Sequence, residues 1–171
     1  AAGTDVAGNG QIWVKSDTPS SLYHTDDAGN DLRMGGFMVT AEVATTSGAS
    51  VDVTGIPAGV RNVIVFLQGV STSGTSEMCI QLGDSGGIET SGYLACAWDG
   101  DNADGQTARL ILTFGMAAGE TRDGAIRLAL ADVTNNTWVS TGLLNQGSSS
   151  SLMNGSSGTK SLSGALTQIR I

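Results

Sequence analysis

Short runs of β-forming residues recur about every ten residues along this chain, separated by Gly, Asn, Asp and Ser. No segment sustains the apolar period of an α-helix between helix caps for more than about two turns. This spacing is typical of an antiparallel sandwich or jelly roll, so we expect an all-β fold. The predicted strands cover residues 11–15, 21–25, 37–44, 50–54, 62–70, 77–82, 93–98, 108–114, 125–131, 137–140 and 162–171.

The first 35 residues are predicted to form a separate small β-meander, because strong turn signals at 17–20 and 26–30 divide them into very short strands. Isolated short hairpins are only marginally stable in water, so the apolar residues of the meander must pack on the next domain, on sister chains or on a host structure. We therefore predict a docking or connecting meander over 1–35 and a jelly-roll-like β-sandwich over 36–171. The candidate docking and packing residues are Ile12, Trp13, Val14, Leu22 and Tyr23.

Two segments of the second domain carry further predictions. The strand at 62–70 is apolar on both faces, which predicts a central strand or a strand at a subunit interface. The segment 147–158 is rich in Ser and Gly and has low complexity, which predicts a surface loop.

Charge and hydropathy exclude two classes of partner. The chain has a net charge of −8 with its Lys and Arg thinly spread, so there is no basic stripe to neutralise nucleic-acid phosphates. The longest apolar run, 63–67, is too short to span a bilayer. Since Ala1 stands where an initiator Met would be, we expect a processed or truncated part of a longer chain.

The chain offers few ligands for cofactors. One His and two Cys do not supply a zinc site, and no phosphate-binding loop precedes a helix. Cys79 and Cys96 both lie in predicted strands. A disulfide between them is one alternative, and we favour two buried small hydrophobic side chains. We predict no cofactor and no metal site.

The segment Gly83-Asp84-Ser85-Gly86-Gly87 spells the active-site sequence of chymotrypsin-like serine proteases. A nucleophilic Ser needs a general base, usually His, and the chain has only His24, which lies in the short meander. Nothing around His24 matches the context of that protease family. We therefore predict a β-turn at 83–87 and no catalytic residue.

The acidic loop at 99–105 suggests two binding functions. Its Asp and Asn residues suit calcium, but an EF-hand is excluded because Leu110 occupies the twelfth position, and we favour a solvated loop over an irregular site. Trp98 beside this loop resembles a sugar-stacking platform, with core packing as the alternative. The candidate receptor or glycan contacts are Tyr93, Trp98, Asp99, Asp101, Asn102 and Asp104.

Five long phrases resemble the virion proteins of tailed bacteriophages. The run 12–23 followed by 25–29 resembles a short module of tail-fibre proteins, in which the position of His24 is commonly aromatic. The body at 53–61, 69–76 and 81–93 and the ending at 162–171 look like the same proteins. In these proteins the pattern usually continues with one more strand, so a final strand is expected to be missing here or supplied by a neighbour.

The resemblance implies a non-enzymatic structural protein on the virion exterior, forming a tail fibre that helps attach the particle to its host. It implies a homotrimer with other tail or capsid proteins as partners and a host cell-surface glycan as a further partner. A capsid decoration or head-fibre protein is the first alternative. A carbohydrate-binding module outside a virion is the second, and neither nucleic acid nor membrane insertion is expected.

Overall fold

The computed structural model describes residues 10–15, 21–26, 29–34, 39–46, 48–57, 59–100, 102–147 and 153–171. The chain divides into two compact units, Ala1–Val43 and Ala44–Ile171. Every regular element in the described residues is a β-strand, and all the strand pairs are antiparallel.

The first unit contains a three-stranded sheet in the order β1-β2-β3. Its strands are β1 (Gln11–Lys15), β2 (Ser21–Thr25) and β3 (Asp31–Arg33). Trp13 and Tyr23 are directly opposite each other on one face, and their rings stack with centroids 5.1 Å apart. Trp13 Nε1 donates to Thr25 Oγ1 at 2.8 Å. The strands predicted at 11–15 and 21–25 are confirmed.

The predicted docking residues of the meander lie on both faces of this sheet. Ile12, Val14 and Leu22 share the face opposite the Trp13–Tyr23 stack, and all three are exposed. The stacked aromatic pair thus covers one face of the sheet. The apolar side chains of the other face are exposed in the part of the chain that the structure describes.

The second unit contains two sheets. Their strands are β4 (Asp52–Thr54), β5 (Asn62–Ser71), β6 (Cys79–Asp84), β7 (Gly87–Ile88), β8 (Tyr93–Trp98), β9 (Ala103–Gln106), β10 (Leu110–Ile111), β11 (Thr121–Asp132), β12 (Thr137–Gln146), β13 (Met153–Ser161) and β14 (Gln168–Arg170). The larger sheet has the order β5-β11-β12-β13-β8-β9. The smaller has the order β10-β6-β14-β4, with β7 paired to β6. The predicted all-β antiparallel sandwich is confirmed, and its jelly-roll-like connectivity stays a prediction.

One apolar core lies between the inner faces of the two sheets. Alternate residues along each strand point inward, so β6 contributes Ile80 and Leu82 while β11 contributes Ile126 and Leu128. The remaining buried members of the core are Val65, Leu67, Met78, Tyr93, Leu110, Leu112, Met116, Trp138, Leu144, Leu162, Leu166 and Ile169.

Several predicted boundaries are wrong. Residues 39–44 form no strand, and residues 37 and 38 lie outside the described part of the chain. The predicted strands at 108–114 and 162–171 shorten to β10 and β14. Both segments are apolar because they are buried in the core, and much of that burial occurs in irregular backbone, as at Leu112 and Leu166.

The segment 147–158, predicted as a surface loop, contains the first part of β13, a strand inside the larger sheet. Residues 148–152 lie outside the described part. This strand needs small residues because the neighbouring chain segments come very close to its backbone. A Cβ on Gly158 would lie 2.7 Å from the Cβ of Ala95 and 2.8 Å from Cδ2 of Leu110, which belongs to the opposite sheet. Low complexity here therefore reflects crowding on both sides of the strand.

The strand at 62–70 was predicted to be central or at a subunit interface. β5 is an edge strand of the larger sheet, so the central position is wrong. Its inward residues Val65 and Leu67 are in the core, whereas Ile64 and Phe66 point outward and are exposed. The second alternative, a subunit interface, stays a prediction.

Substituting Gly158→Ala tests the crowding at β13. The added methyl group overpacks the core against Ala95 and Leu110, so we expect the free energy of unfolding to fall by about 1–3 kcal/mol in urea titrations. Gly74→Ala is the matched control, because a Cβ there meets nothing within 4 Å. Equal stability of the two variants would contradict the packing described here.

Candidate functional site

The protease-like segment forms a tight hairpin between β6 and β7. Asp84 and Gly87 are paired, with Ser85 and Gly86 in the turn. The Asp84 carboxylate accepts hydrogen bonds from Gly86 N–H at 2.7 Å and from the Ser163 hydroxyl at 2.7 Å. A Cβ on Gly83 would lie 2.5 Å from the Gly87 carbonyl oxygen, so the glycine is needed for chain reversal. The predicted turn is found here.

The single His24 belongs to β2 of the first unit, whereas Ser85 belongs to the second unit. A Cβ on Gly10 would lie 2.4 Å from His24 Nε2, so the imidazole packs on the backbone of the meander. The second unit contains no histidine in its sequence. A Ser–His pair around Ser85 is therefore not available within that unit.

A polar network surrounds this hairpin. Lys160 forms an ion pair with Glu89, and its ammonium lies 5.3 Å from the centre of the Tyr93 ring. The Ser163 N–H donates to Glu89 Oε1 at 2.8 Å. The Ser163 hydroxyl oxygen lies 2.7 Å from an Asp84 carboxylate oxygen and 2.9 Å from Glu89 Oε1, and its single proton serves one of them at a time. The network fixes the β6–β7 hairpin to the segment after β13.

The electrostatics of the network favour ionised carboxylates. The Ser163 hydroxyl and the Gly86 N–H hold the pKa of Asp84 below its ordinary value. Burial opposes ionisation of Glu89, but bonds from Lys160 and Ser163 together outweigh it and lower the pKa of Glu89. Carboxylates of lowered pKa are weak general bases at neutral pH. These groups therefore anchor the chain and are poorly suited to accept a proton from Ser163.

Tyr93 is part of this anchor and lies in the core. Its hydroxyl accepts from Leu82 N–H at 2.8 Å and donates to the Glu89 carbonyl at 2.8 Å. Burial raises the pKa of Tyr93 to about 12, so the hydroxyl stays protonated at neutral pH. The residue is 1% exposed, which is inconsistent with its predicted contact to a receptor or glycan.

The structure brings together only part of the predicted glycan set. Trp98 points outward from β8, while Tyr93 points inward, because the two residues are five positions apart and side chains alternate between the faces of a strand. Asp104 is opposite Ala97, so it lies on the inward side, away from Trp98. Asp99 and Asn102 form the turn after Trp98, with Asn102 Nδ2 donating to Asp99 Oδ1 at 3.2 Å. Asp101 lies outside the described residues.

A larger feature lies on the same side of the sheet as Trp98. We call the outward side of the six-stranded sheet the outer face. Cross-strand partners form a continuous apolar row there, running from β5 to β9 through Phe66, Ala125, Leu143, Gly155, Trp98 and Ala103. The exposed fractions are 77% for Phe66, 57% for Leu143 and 49% for Trp98. A patch of this kind marks an interaction surface in soluble proteins.

The relief of the outer face depends on Gly155. A Cβ on Gly155 would lie 2.4 Å from the Nε1 and Cε2 atoms of Trp98, so the indole lies flat over this glycine. Between Trp98 and Phe66 there is a shallow depression of about 670 Å³, whose wall and floor include Ala125 and Leu143. Ile64, Leu94 and Met153 add further exposed apolar side chains.

The outer face carries little charge. Arg127 donates from Nη2 to Asn62 Oδ1 at 2.7 Å on the neighbouring strand. Asp123 accepts from the Gly69 N–H at 2.7 Å, beside an irregularity in the β5–β11 pairing. In the interior of the outer face one positive and one negative side chain are thus each held by a neighbour, among side chains that are otherwise uncharged.

Sequence reasoning missed most of this face. The one sequence feature that pointed to this face was β5, whose consecutive apolar residues predicted contacts on both faces of the strand. Leu143 was missed because the predicted strand ended at 140, and Gly155 because its segment was predicted as a loop. The acidic loop was also shorter than predicted, since residues 103–106 form β9.

The two cysteines are free and do not face each other. Cys79 is on β6 in the smaller sheet, and burial raises the pKa of its thiol. Cys96 is exposed on the outer face, opposite Ser157. The prediction of two buried side chains is therefore wrong for Cys96, whose strand alternates between the core and solvent.

Two further observations describe what the structure offers to metals and membranes. In the part of the chain that the structure describes, no cluster of three or more His, Cys, Asp and Glu side chains is placed to hold a metal ion. Among the same residues, no helix has the length and hydropathy needed to cross a membrane.

Comparison of the chain with protein-family models, with curated proteins and with solved structures gives no match.

Substituting Ser163→Ala tests the anchoring network through its pH dependence. Asp84 and Glu89 have lowered pKa values in the folded protein, so their ionisation stabilises it above the ordinary carboxyl pKa, and this contribution is lost as pH falls through the lowered values. We expect the variant to be less stable than wild type in urea at neutral pH. The difference should shrink below about pH 4.

The control for this prediction is Ser71→Ala, which removes an exposed hydroxyl from β5. We expect it to change stability little at any pH. A Ser163→Ala deficit that stayed constant down to the acid range would show that the hydroxyl does not act through the two carboxylates.

Proposed function

We propose that this chain is a non-enzymatic structural protein of a tailed-bacteriophage virion, located on the particle exterior as part of a fibre that aids host attachment. The observation that carries the proposal is the outer face. The core of the second unit is already closed beneath the larger sheet, so the exposed Phe66, Leu143 and Trp98 contribute nothing further to that core. Apolar surface left outside a completed core supports an assembly role.

The chemistry around the protease-like segment also supports a structural role. Asp84 and Glu89 hold Ser163 in a network that joins two segments of the sandwich, and Lys160 is paired with Glu89. Asp84, which belongs to the protease-like segment, thus acts as an anchor. The resemblance of the sequence to phage fibre proteins supplies the virion context, and it is the only support for that part of the proposal.

A capsid decoration protein is the nearest alternative, because an apolar sheet face suits a capsid as well as a fibre. Antibodies raised against the purified full chain distinguish the two when particles of a phage encoding it are labelled with gold and imaged. We expect label on the tail. Label over the head would favour decoration, and particles without label would contradict the virion proposal.

A second candidate function is glycan binding at Trp98. Its indole lies flat on the sheet over Gly155, next to the Asp99–Asn102 turn, and an exposed aromatic face beside polar groups can stack on a sugar ring. Several copies on one particle would strengthen weak individual contacts.

This second candidate predicts binding on a glycan array that is lost in Trp98→Ala. Leu94→Ala is the matched control, since it removes another exposed apolar side chain from the same strand and the same face. Equal loss in both variants, or no glycan bound by wild type, would rule out a sugar platform at Trp98.

A further inference from the structure

The apolar row across the outer face alternates between large and small side chains. In strand order it reads Phe66, Ala125, Leu143, Gly155, Trp98 and Ala103. Neighbouring strands are about 4.8 Å apart, so Phe66 and Leu143 form ridges about 10 Å apart with a groove at Ala125 between them. The Trp98 indole lies over Gly155, so the position beside Leu143 carries a flat aromatic surface.

This relief is complementary to itself. Consider a two-fold axis that is parallel to the strands and lies between β12 and β13. Such an axis places β5 opposite β9, β11 opposite β8, and β12 opposite β13 of a second copy. Phe66 then faces the partner's Ala103, and Leu143 faces the partner's Trp98 indole, which lies over Gly155. Phe66 thus meets a small residue, and Leu143 packs on a flat aromatic face.

The next row gives the same result. Its members are Ile64, Arg127, Thr141, Ser157, Cys96 and Gly105. The axis places Ile64 opposite the partner's Gly105 and Thr141 opposite the partner's Ser157. Ile64 thus meets a glycine, Arg127 meets the partner's Cys96, and two hydroxyls meet at the centre, where they can exchange a hydrogen bond.

The third row extends the agreement. It contains Ala129, Val139, Thr159 and Leu94 on β11, β12, β13 and β8. Leu94 faces the partner's Ala129, and Val139 faces the partner's Thr159. A two-fold axis perpendicular to the strands would instead set each strand on its own counterpart and bring the large side chains of β5, Ile64 and Phe66, against those of the partner's β5, so the parallel axis fits the volumes better.

Charge and area fit a second copy as the occupant. The chain carries a net charge of −8, so two copies repel each other. This repulsion is weakest when they meet through an uncharged surface. In the interior of the outer face the charged side chains are Arg127 and Asp123, which have opposite signs. Six strands about 4.8 Å apart and about eight residues long give a flat area of about 600 Å². Side-chain relief brings this close to the about 800 Å² per partner of a stable interface.

We infer that this chain pairs with a second copy of itself through the outer face, about a two-fold axis parallel to the strands between β12 and β13. Two sheets packed in this way keep their strands nearly aligned, as in other sandwiches. The inference rests on the assembly role proposed above and names the partner of that surface. Pairing covers Trp98, so a sugar and a second copy compete for the same indole.

Cross-linking tests the strand exchange. The axis places residue 127 opposite the partner's Cys96, across the about 10 Å between packed sheets, whereas residues 127 and 96 of one chain are about 14 Å apart across three strand spacings. In a Cys79→Ala background, Arg127→Cys should give a dimer band on a denaturing gel after treatment with a short bis-maleimide. The matched control adds Cys96→Ser to the same variant and should stay monomeric.

The same reaction on the Cys79→Ala background alone should also give no dimer, because Cys96 then faces an arginine. No dimer from the Arg127→Cys variant, or an equal yield from the Cys96→Ser control, would overturn the proposed arrangement.

The mass of the full chain in solution provides the second test. Light scattering at micromolar concentration should give two copies for wild type and one for Leu143→Glu, which puts carboxylates near the axis in a desolvated interface. Val133→Glu is the matched control, since Val133 is exposed to 54% against 57% for Leu143 but lies in the β11–β12 turn. It should remain a dimer, and circular dichroism should show that both variants are folded.

A wild-type mass of one copy would show that the outer face is open or is covered by another part of the same chain. A mass of three copies, the homotrimer that the resemblance implies, would require a different contact, because a two-fold face closes with two. Either result overturns the inference. If particles carry gold label but the mass is one or three copies, the proposed function is retained and the pairing is wrong. If the mass is two copies but particles carry no label, the pairing is retained and the virion proposal is wrong.

Discussion

The close approach of β13 to its surroundings is the constraint on which the second unit depends. β13 joins the β5-β11-β12 half of the larger sheet to the β8-β9 hairpin, so the outer face is continuous only because this strand is in place. Gly158 leaves room on the inner side for Ala95 and for Leu110 of the other sheet, and Gly155 leaves room on the outer side for the indole of Trp98. The absence of side chains at two positions thus closes the core and shapes the exposed surface together.

The functional proposals follow from the period of two along the strands. Inward residues are apolar, as any sandwich requires, but outward residues such as Phe66 and Leu143 are apolar as well. Solubility does not explain large apolar side chains on the solvent side of a sheet. Single exposed apolar residues are common on protein surfaces, but here large and small residues alternate from strand to strand. A role in assembly accounts for both observations, and the polar network around Ser163 has a structural role that needs no catalytic explanation.

Some strands could be predicted from the sequence because their signals are local. Others could not, because their residues are selected by contacts with distant parts of the chain. The strands at 11–15, 21–25 and 93–98 were predicted with their observed bounds, because β-branched and aromatic residues there are flanked by turn residues. β13 was missed because its Gly and Ser residues are selected by close neighbours from distant parts of the chain. Tyr93 and Asp104 were assigned to a common site with Trp98 from their proximity in sequence, although strand alternation places them on the other side.

The outer face shows the same limit more sharply. Its residues come from strands spread over positions 62–106 and 121–161, and their order across the sheet depends on the register of each strand pair. Register depends on which face of each strand is buried and on turn geometry, and the β5–β11 and β13–β8 pairs join distant segments that no tight turn connects. The both-sided apolar character of β5 predicted a subunit interface as one of two alternatives, and that alternative is the one compatible with an edge strand.

The central claim is that a second copy covers the outer face with Leu143 against the partner's Trp98 indole. An isotope-filtered nuclear Overhauser experiment on a mixture of labelled and unlabelled full chain tests it most directly, since the filter retains only contacts between chains. We expect a cross-peak between the Trp98 indole protons and the Leu143 methyl groups of the other chain. A spectrum with assigned Trp98 and Leu143 signals and no such inter-chain cross-peak would contradict the proposed pairing.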